Sequence, residues 1–344
     1  MNYRAYKNLA TRRDPEGIIP QILSFSAIQD DEAVKYLAGA MEPVDQKYTD
    51  ATIREGDRVW NHVINGLVEK SRKADKAYQG SVTKNTHIRA HSDIDLLVVE
   101  TRFHTLEPPQ KPANPYKGDT LRDLIEIREI SALKLRKEFP KAEVDESKAK
   151  AINISGGSLL RTVDVVVANW YHTVRFSETN ETLWRGIQVL DVQKQTREAD
   201  QPFLHGAWLD HKDNEAQGNC KRLIRLIKSL KYDSEDRVTM SSFDIESLVF
   251  RMPSQQMQRP RGEEIQLAQA CQNWLISVET NQTLRENLEV PDGKRKIFAE
   301  GKATLGQLTA LRKEFGVLLS EIEQGLTRSA RKLADARIKW PGIH

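Results

Sequence analysis

"GSVTKNTHIRAHSDIDLLVVE", residues 80–100, decides how this chain reads. Asp93 and Asp95 stand just before Leu96, Leu97, Val98 and Val99, a run apolar at successive positions and therefore read as a central strand buried on both faces. Side chains two apart along a strand share a face, so the two carboxylates project together from one strand end. Close carboxylates repel and do not both ionise cheaply in a low-dielectric site. A divalent cation resolves that conflict, because Mg²⁺ takes carboxylate oxygens and keeps room for water and phosphate.

A third carboxylate follows in "RTVDVVVAN", where Asp164 has Val163, Val165, Val166 and Val167 as neighbours. If this strand pairs with the first, the three aspartates converge and can hold two metal ions about 3.5–4 Å apart, the arrangement that activates a hydroxyl and neutralises a leaving pyrophosphate. Gly80 and Ser81 supply the other half. Glycine lets a phosphate approach backbone amides, and those amides with a serine hydroxyl cradle its oxygens. A lone Gly-Ser or a lone Asp-x-Asp says little; the three elements in this order say much more.

Around this centre, "EPVDQKYTDATIREGDRVWNHVINGLVEKSRK" carries Val59, Val63 and Leu67 at helical spacing. Residues 1–40 read as an N-terminal segment with short helical patches. After the strand come a proline-rich loop, the helix "TLRDLIEIREISALKLRKEF", and short extended stretches at "AEVDES" and "KAINIS", turned by "SGGS" at 155–158 into the Asp164 strand. This is a mixed α/β sheet spanning roughly 75–175. Beyond it the pattern turns helical, with Leu223, Leu226, Ile227 and Leu230 in one helix, a serine-capped helix at "SSFDIESLVFRM", and a stripe of Leu308, Leu311, Phe315, Leu318, Ile322 and Leu326 read as a packing face. The expected division is 1–175, N-terminal helices and α/β core, and 176–344, a helical domain.

Composition narrows the class. The chain has 344 residues, 39 % hydrophobic and 29 % charged, with a formal net charge of only +3, so it is no polycation and nucleic acid is not an expected partner. Its two cysteines, Cys220 and Cys271, make no disulfide framework or clustered zinc site. No run approaches the ~20 apolar residues of a spanning helix, so a cytoplasmic protein without membrane partners is expected. His87 and His91, four apart in an extended segment, would not converge on zinc. "RPRGEE" at 259–264 reads as a solvated loop.

The signature Gly80-Ser81, then Thr86 and Arg89, then Ser92-Asp93-x-Asp95, resembles that of the DNA polymerase β-like nucleotidyltransferase superfamily. Its form is closest to the bacterial cGAS/DncV-like nucleotidyltransferases (CD-NTases), and is similar also to oligoadenylate synthetases and archaeal CCA-adding enzymes. "VDVVVANW" resembles the third-aspartate strand, and the stretch from "PFLHGAWLDHKDNEAQGNC" to "SSFDIESL" resembles the helical half, so the likeness covers most of residues 55–255.

The resemblance implies an α+β fold: a nucleotidyltransferase core of mixed twisted sheet and flanking helices, a C-terminal helical domain, and an active site in the cleft between them. It implies template-independent joining of ribonucleoside triphosphates (ATP, GTP or pyrimidine NTPs) into cyclic di- or trinucleotides or short oligonucleotides, with a product-sensing effector protein of an anti-phage defence (CBASS) operon as partner. Asp93 and Asp95 would bind two Mg²⁺ ions, with Mn²⁺ able to substitute, and Asp164 would bind the catalytic metal and help deprotonate the attacking hydroxyl. Lys228 and Ser242 occupy the places of a lysine and serine that grip the donor triphosphate, and Phe243 that of an aromatic that stacks on the base.

From the residues alone, these last positions have plainer readings. Lys221, Arg225 and Lys228 share one helix face, which is ordinarily a solvated face. Ser242 reads equally as a helix N-cap, and Phe243 as core. Two other functions share the signature: transfer of nucleotides to an RNA end or a protein hydroxyl, and silent nucleotide binding. An intact aspartate triad weighs against the silent reading.

Overall fold

The computed structural model describes residues 32–89, 93–234 and 238–339, with side chains as far as residue 328. Residues 1–31, His91, Ser92 and the C-terminal "WPGIH" lie outside the described residues. Two compact units result: residues 44–87 and 93–208 form one, and residues 32–43, 88–89 and 209–339 the other.

The first unit is built on a seven-stranded sheet. Helix α1 (Glu32–Met41) belongs to the second unit; the first begins with α2 (Gln46–Glu69) and continues with β1 (Ala74–Gln79), β2 (Ile94–Leu106), α3 (Thr120–Glu138), β3 (Glu143–Asp145), β4 (Ala151–Ser155) and β5 (Val163–His172). A short helix α4 (Val174–Thr179) then leads to β6 (Arg185–Asp191) and β7 (Thr196–Asp200). The order is β1-β2-β5-β4-β3, with β6 paired to the C-terminal half of β5 and β7 to β6. Only β2 and β5 run parallel; the other pairs are antiparallel.

Sequence placed the central elements well. The apolar positions of α2, Val59, Val63 and Leu67, are fully buried against Ile94, Leu96 and Val98 of β2 and Leu124, Ile127 and Leu135 of α3. The opposite face of the sheet carries Leu97, Val99, Val166, Ala168, Ile187 and Val189. β2 is apolar on both sides because both sides are covered. The turn after β4 has Gly156 and Gly157 at φ +74° and +62°, as a reversal between antiparallel strands requires.

The expected domain limits need correcting at both ends. Strands β6 and β7 prolong the sheet, so the limit at 175/176 falls inside the first unit. Those strands carry little apolar alternation, "TREAD" none at all, and nothing local marked them. Nor does α1 go with the sheet: Tyr36, Leu37, Ala40 and Met41 are buried in the helical unit's core, and the Tyr36 hydroxyl donates to Asp233 Oδ2 at 3.1 Å.

The helix α5 (Pro202–Glu215) crosses the limit between the units. The second unit continues with α6 (Asn219–Asp233), α7 (Ser242–Phe250), α8 (Ser254–Met257), α9 (Glu264–Thr280), α10 (Gln282–Asn287) and α11 (Leu305–Lys339). Leu223, Leu226, Ile227 and Leu230 of α6 and Leu308, Leu311, Phe315, Leu318 and Ile322 of α11 are buried together, so the C-terminal stripe is a packing face. Both cysteines are buried free thiols. Among the described residues, no helix is long and apolar enough to cross a membrane.

Candidate active site

Parallel pairing of β2 with β5 puts Asp95 directly opposite Asp164. On the flanks Gln79 of β1 pairs with Asp95, and Asn153 of β4 with Asp164. Paired residues share a face of the sheet, so four neighbouring strands present one polar row: Gln79, Asp95, Asp164, Asn153. Asp93 stands two residues before Asp95, at the exposed rim. The sequence expectation that the three aspartates meet on adjacent strands is the geometry the fold produces.

The electrostatics follow from that crowding. Burial, reinforced by the negative charges of Asp164 and Asp93, pushes the Asp95 carboxyl up to about 7. Asp93 is raised for the same reasons, loss of hydration first and the charge of Asp164 second, with the charge of Lys148 and then a hydrogen bond from the Thr162 side chain opposing. Two lysines partly offset the repulsion at Asp95: Lys84, in the loop after Gly80, and Lys148, between β3 and β4. Lys148 Nζ lies 3.2 and 3.4 Å from the two carboxylate oxygens of Asp164, and Asn153 Nδ2 donates to Asp164 Oδ1 at 2.6 Å. No hydrogen bond from a described residue reaches the Asp95 carboxylate.

Gly80 is glycine for two reasons. Its φ is +85°, and a Cβ there would lie 1.9 Å from Asp95 Oδ2. The turn therefore presses against the very carboxylate that carries the site, a closer relation than phosphate access alone demands. The loop is then tied down: Thr83 Oγ1 donates to the Gly80 carbonyl at 3.0 Å, and the Thr86 amide to the Ser81 carbonyl at 2.9 Å. Ser81 is partly exposed beside it, and Thr86 is fully buried. His87 is buried with Nε2 3.0 Å from Thr49 Oγ1, which suits a structural histidine rather than a zinc ligand.

The donor set fits divalent cations. Asp93 and Asp95 would be hard oxygen ligands, and their carboxyls are raised first by burial and then by the negative charge of neighbouring carboxylates, which a divalent cation would offset. Among the described residues, no three His, Cys, Asp or Glu side chains stand ready-made in ligating positions, and Asp164 is paired with the Lys148 ammonium.

Lys228, Ser242 and Phe243 belong to the helical unit. The basic face of α6 is not solvated: Arg225 and Lys228 are each only 4 % exposed, and Arg225 Nε donates to the Met41 carbonyl at 2.9 Å. At Arg225 the cover comes from α1, far away in sequence, so helical periodicity could not reveal it. The N-cap of α7 is Ser241, not Ser242: its hydroxyl accepts from the Asp244 amide at 3.0 Å and donates to Asp244 Oδ2 at 2.7 Å. Ser242 stands on the first turn, partly exposed. Phe243 is not core; its ring is 38 % exposed with the Arg295 guanidinium 5.3 Å from its centroid. Sequence reasoning missed Lys84, Lys148 and Asn153. Asn153, within the quoted "KAINIS", owes its place to the β4–β5 register, Lys148 owes its place to the β3–β4 loop, and Lys84, four residues after Gly80, lay within the quoted signature.

Comparison with known proteins fits this geometry. The chain is similar to a cyclic dinucleotide synthase CdnE of Yersinia aleksiciae, 31 % identical over 301 residues, covering 86 % of this chain and 78 % of that one. The chain belongs to the cGAS/DncV-like nucleotidyltransferases. The family's C-terminal helical domain matches residues 208–316, all but the first of them in the helical unit. A c-di-GMP synthase of a Lachnospiraceae bacterium is 30 % identical over 282 residues, 73 % of this CD-NTase and 80 % of the relative. Among solved structures, the STING-associated CdnE c-di-GMP synthase of Capnocytophaga granulosa superposes with a TM-score of 0.73 at 27 % identity, over 93 % of this chain and 98 % of that one. The CD-NTase is thus a nucleotidyltransferase enzyme, with the mixed sheet and helical domain of its family.

Proposed function

We propose that this enzyme joins two ribonucleoside triphosphates, GTP among them, into a cyclic dinucleotide with release of pyrophosphate. The observation that carries the reading is the in-register pair Asp95–Asp164 with Asp93 beside it. GTP is named because two of the relatives above are c-di-GMP synthases. RNA-end and protein nucleotidyl transfer are not favoured by such relatives.

Asp93, Asp95 and Asp164 would hold two Mg²⁺ ions, or Mn²⁺ in their place, which neutralise the triphosphate and acidify the acceptor hydroxyl when bound. The acceptor ribose oxygen attacks the donor's α-phosphorus in line, the bond to the bridging oxygen of pyrophosphate breaks, and the hydroxyl proton leaves toward Asp164. Asn153, donating to Asp164 Oδ1, would hold the orientation of that carboxylate. The Gly80–Ser81 turn grips donor phosphate through its amides and hydroxyl, Lys228 and Ser242 hold the triphosphate, and Phe243 stacks on a base. Nucleotidyl transfer needs little more from protein than such positioning and charge neutralisation. A second round with the roles exchanged closes the ring. In this reading the product is a second messenger for a defence-operon effector, made in the cytoplasm.

Purified protein with all four NTPs and Mg²⁺ or Mn²⁺ tests this directly. A phosphatase-resistant product with the mass of a cyclic dinucleotide, absent from the Asp93→Asn/Asp95→Asn double variant, is the expected result. Product that persists in the double variant, or label that ends on RNA, overturns it.

A further inference from the structure

The loop between β3 and β4 carries Lys148 into the carboxylate row, and its backbone is fixed from two sides. Arg128 of α3 is buried, and its Nη2 lies within 3.0–3.1 Å of the carbonyls of Glu146, Lys148 and Ala151. From the β6–β7 turn, the Val192 amide donates to the Ala149 carbonyl at 2.9 Å, and Gln193 Nε2 to the Ser147 carbonyl at 3.1 Å. The Lys148 side chain is nevertheless 47 % exposed, and reaches Asp164, 16 % exposed, across only 3.2 Å.

That combination is more than an ion pair for stability requires. Pairs with one half-exposed partner contribute little to folding, yet a buried guanidinium and a neighbouring turn hold this backbone in place. A pinned backbone under a solvated four-carbon stem gives a charge that pairs with Asp164, is felt by Asp93 and Asp95, and can withdraw into water without moving the loop. Ammonium is compact and strongly hydrated, which suits reversible pairing. Divalent ions alone and Lys148 compete for Asp164; a triphosphate brings negative charge of its own and relieves that competition.

We infer that Lys148 is a placeholder cation, pairing with Asp164 until a divalent ion and a nucleotide arrive together. It couples metal occupancy to nucleotide occupancy and opposes metal binding by the empty enzyme. The inference rests on the two-metal reading above.

Calorimetric titration of the full chain with Mn²⁺, with and without a non-hydrolysable GTP analogue, tests it without reading activity. Lys148→Met should tighten Mn²⁺ binding to the nucleotide-free protein by about tenfold and binding beside the analogue by less than about threefold, so that coupling between the two ligands shrinks. Lys148→Arg should keep most of the coupling, and thermal melts should confirm that both variants fold. Affinity that is unchanged or weaker without nucleotide, or tightened equally in both states as by a fixed charge, overturns the placeholder role alone. Mn²⁺ binding that is absent from the wild type even beside the analogue, or identical there in Asp164→Asn, overturns the two-metal reading and the placeholder together.

Discussion

Strands β2 and β5 carry two polar pairs in register, the partly buried Asp95 with Asp164 and the fully buried Glu100 with Asn169, on opposite faces of the sheet. Both pairs include a carboxylate that burial pushes up to about 7. Their surroundings differ completely. Glu100 is fully buried, yet receives the Arg102 amide at 2.7 Å and the Arg102 guanidinium at 2.6 and 3.0 Å. Arg102 in turn meets Asp123, which Arg72 also pairs, and Asn169 is bonded to Thr105, Arg197 and its neighbour's carbonyl. Every need of that site is met by protein held in place. At Asp95 the neighbours are two more carboxylates, and the cations that answer them are lysines on loops. A buried charge closed by its own fold is architecture; one left to lysine side chains and to whatever enters the site is a place for chemistry.

Substitution separates the two sites most sharply. Asp95→Asn or Asp164→Asn should lower the rate of product formation by roughly 10³-fold or more, the scale of several kcal/mol of lost charge stabilisation, while melting temperature holds or rises because like charge is removed. A matching loss of stability in these variants would break the contrast. Glu100→Ala should instead cost about 2 kcal/mol of folding stability by denaturant titration, since it removes the three hydrogen bonds that the Arg102 amide and guanidinium make to a buried carboxylate. Gly80→Ala should slow turnover about 100-fold, the penalty of a misplaced reacting group, because its Cβ would displace the Asp95 carboxylate.

The smallest effect is in pH. Folded-state values near 7 lie above those of the unfolded chain, so each group binds its proton more tightly when folded. Their contribution to stability is full below pH about 4 and is lost as pH rises through about 7. Melts of metal-free protein should therefore fall between these limits by roughly 2–4 °C for each kcal/mol lost. Asp95→Asn and Glu100→Gln should each flatten part of that slope, and added Mg²⁺ should restore only the Asp95 share. Equal restoration at both sites would mean that the distinction is wrong.

How far the sequence could be read tracks how local each cause is. The β2 run, the α2 stripe and the α11 stripe are set by the period of their own apolar residues, and each stands where that period put it. The nearly featureless "TREAD" strand needed β6 as a template, and Ser241 could not be told from Ser242 as a cap without backbone dihedrals. The cations of α6 looked solvated until α1 and its neighbours covered them.

By itself, then, the sequence determined which chemistry was available: three carboxylates at the starts of two strongly apolar strands, and a glycine where the chain must turn. Only the tertiary structure decided which groups face them. Register matched Asp164 with Asp95 and Asn153, the β3–β4 loop brought Lys148 to Asp164, and α1 crossed to the helical unit. The reason is physical. Strand periodicity is written in neighbouring residues, whereas pairing register and the burial of charge depend on contacts between residues far apart in the chain.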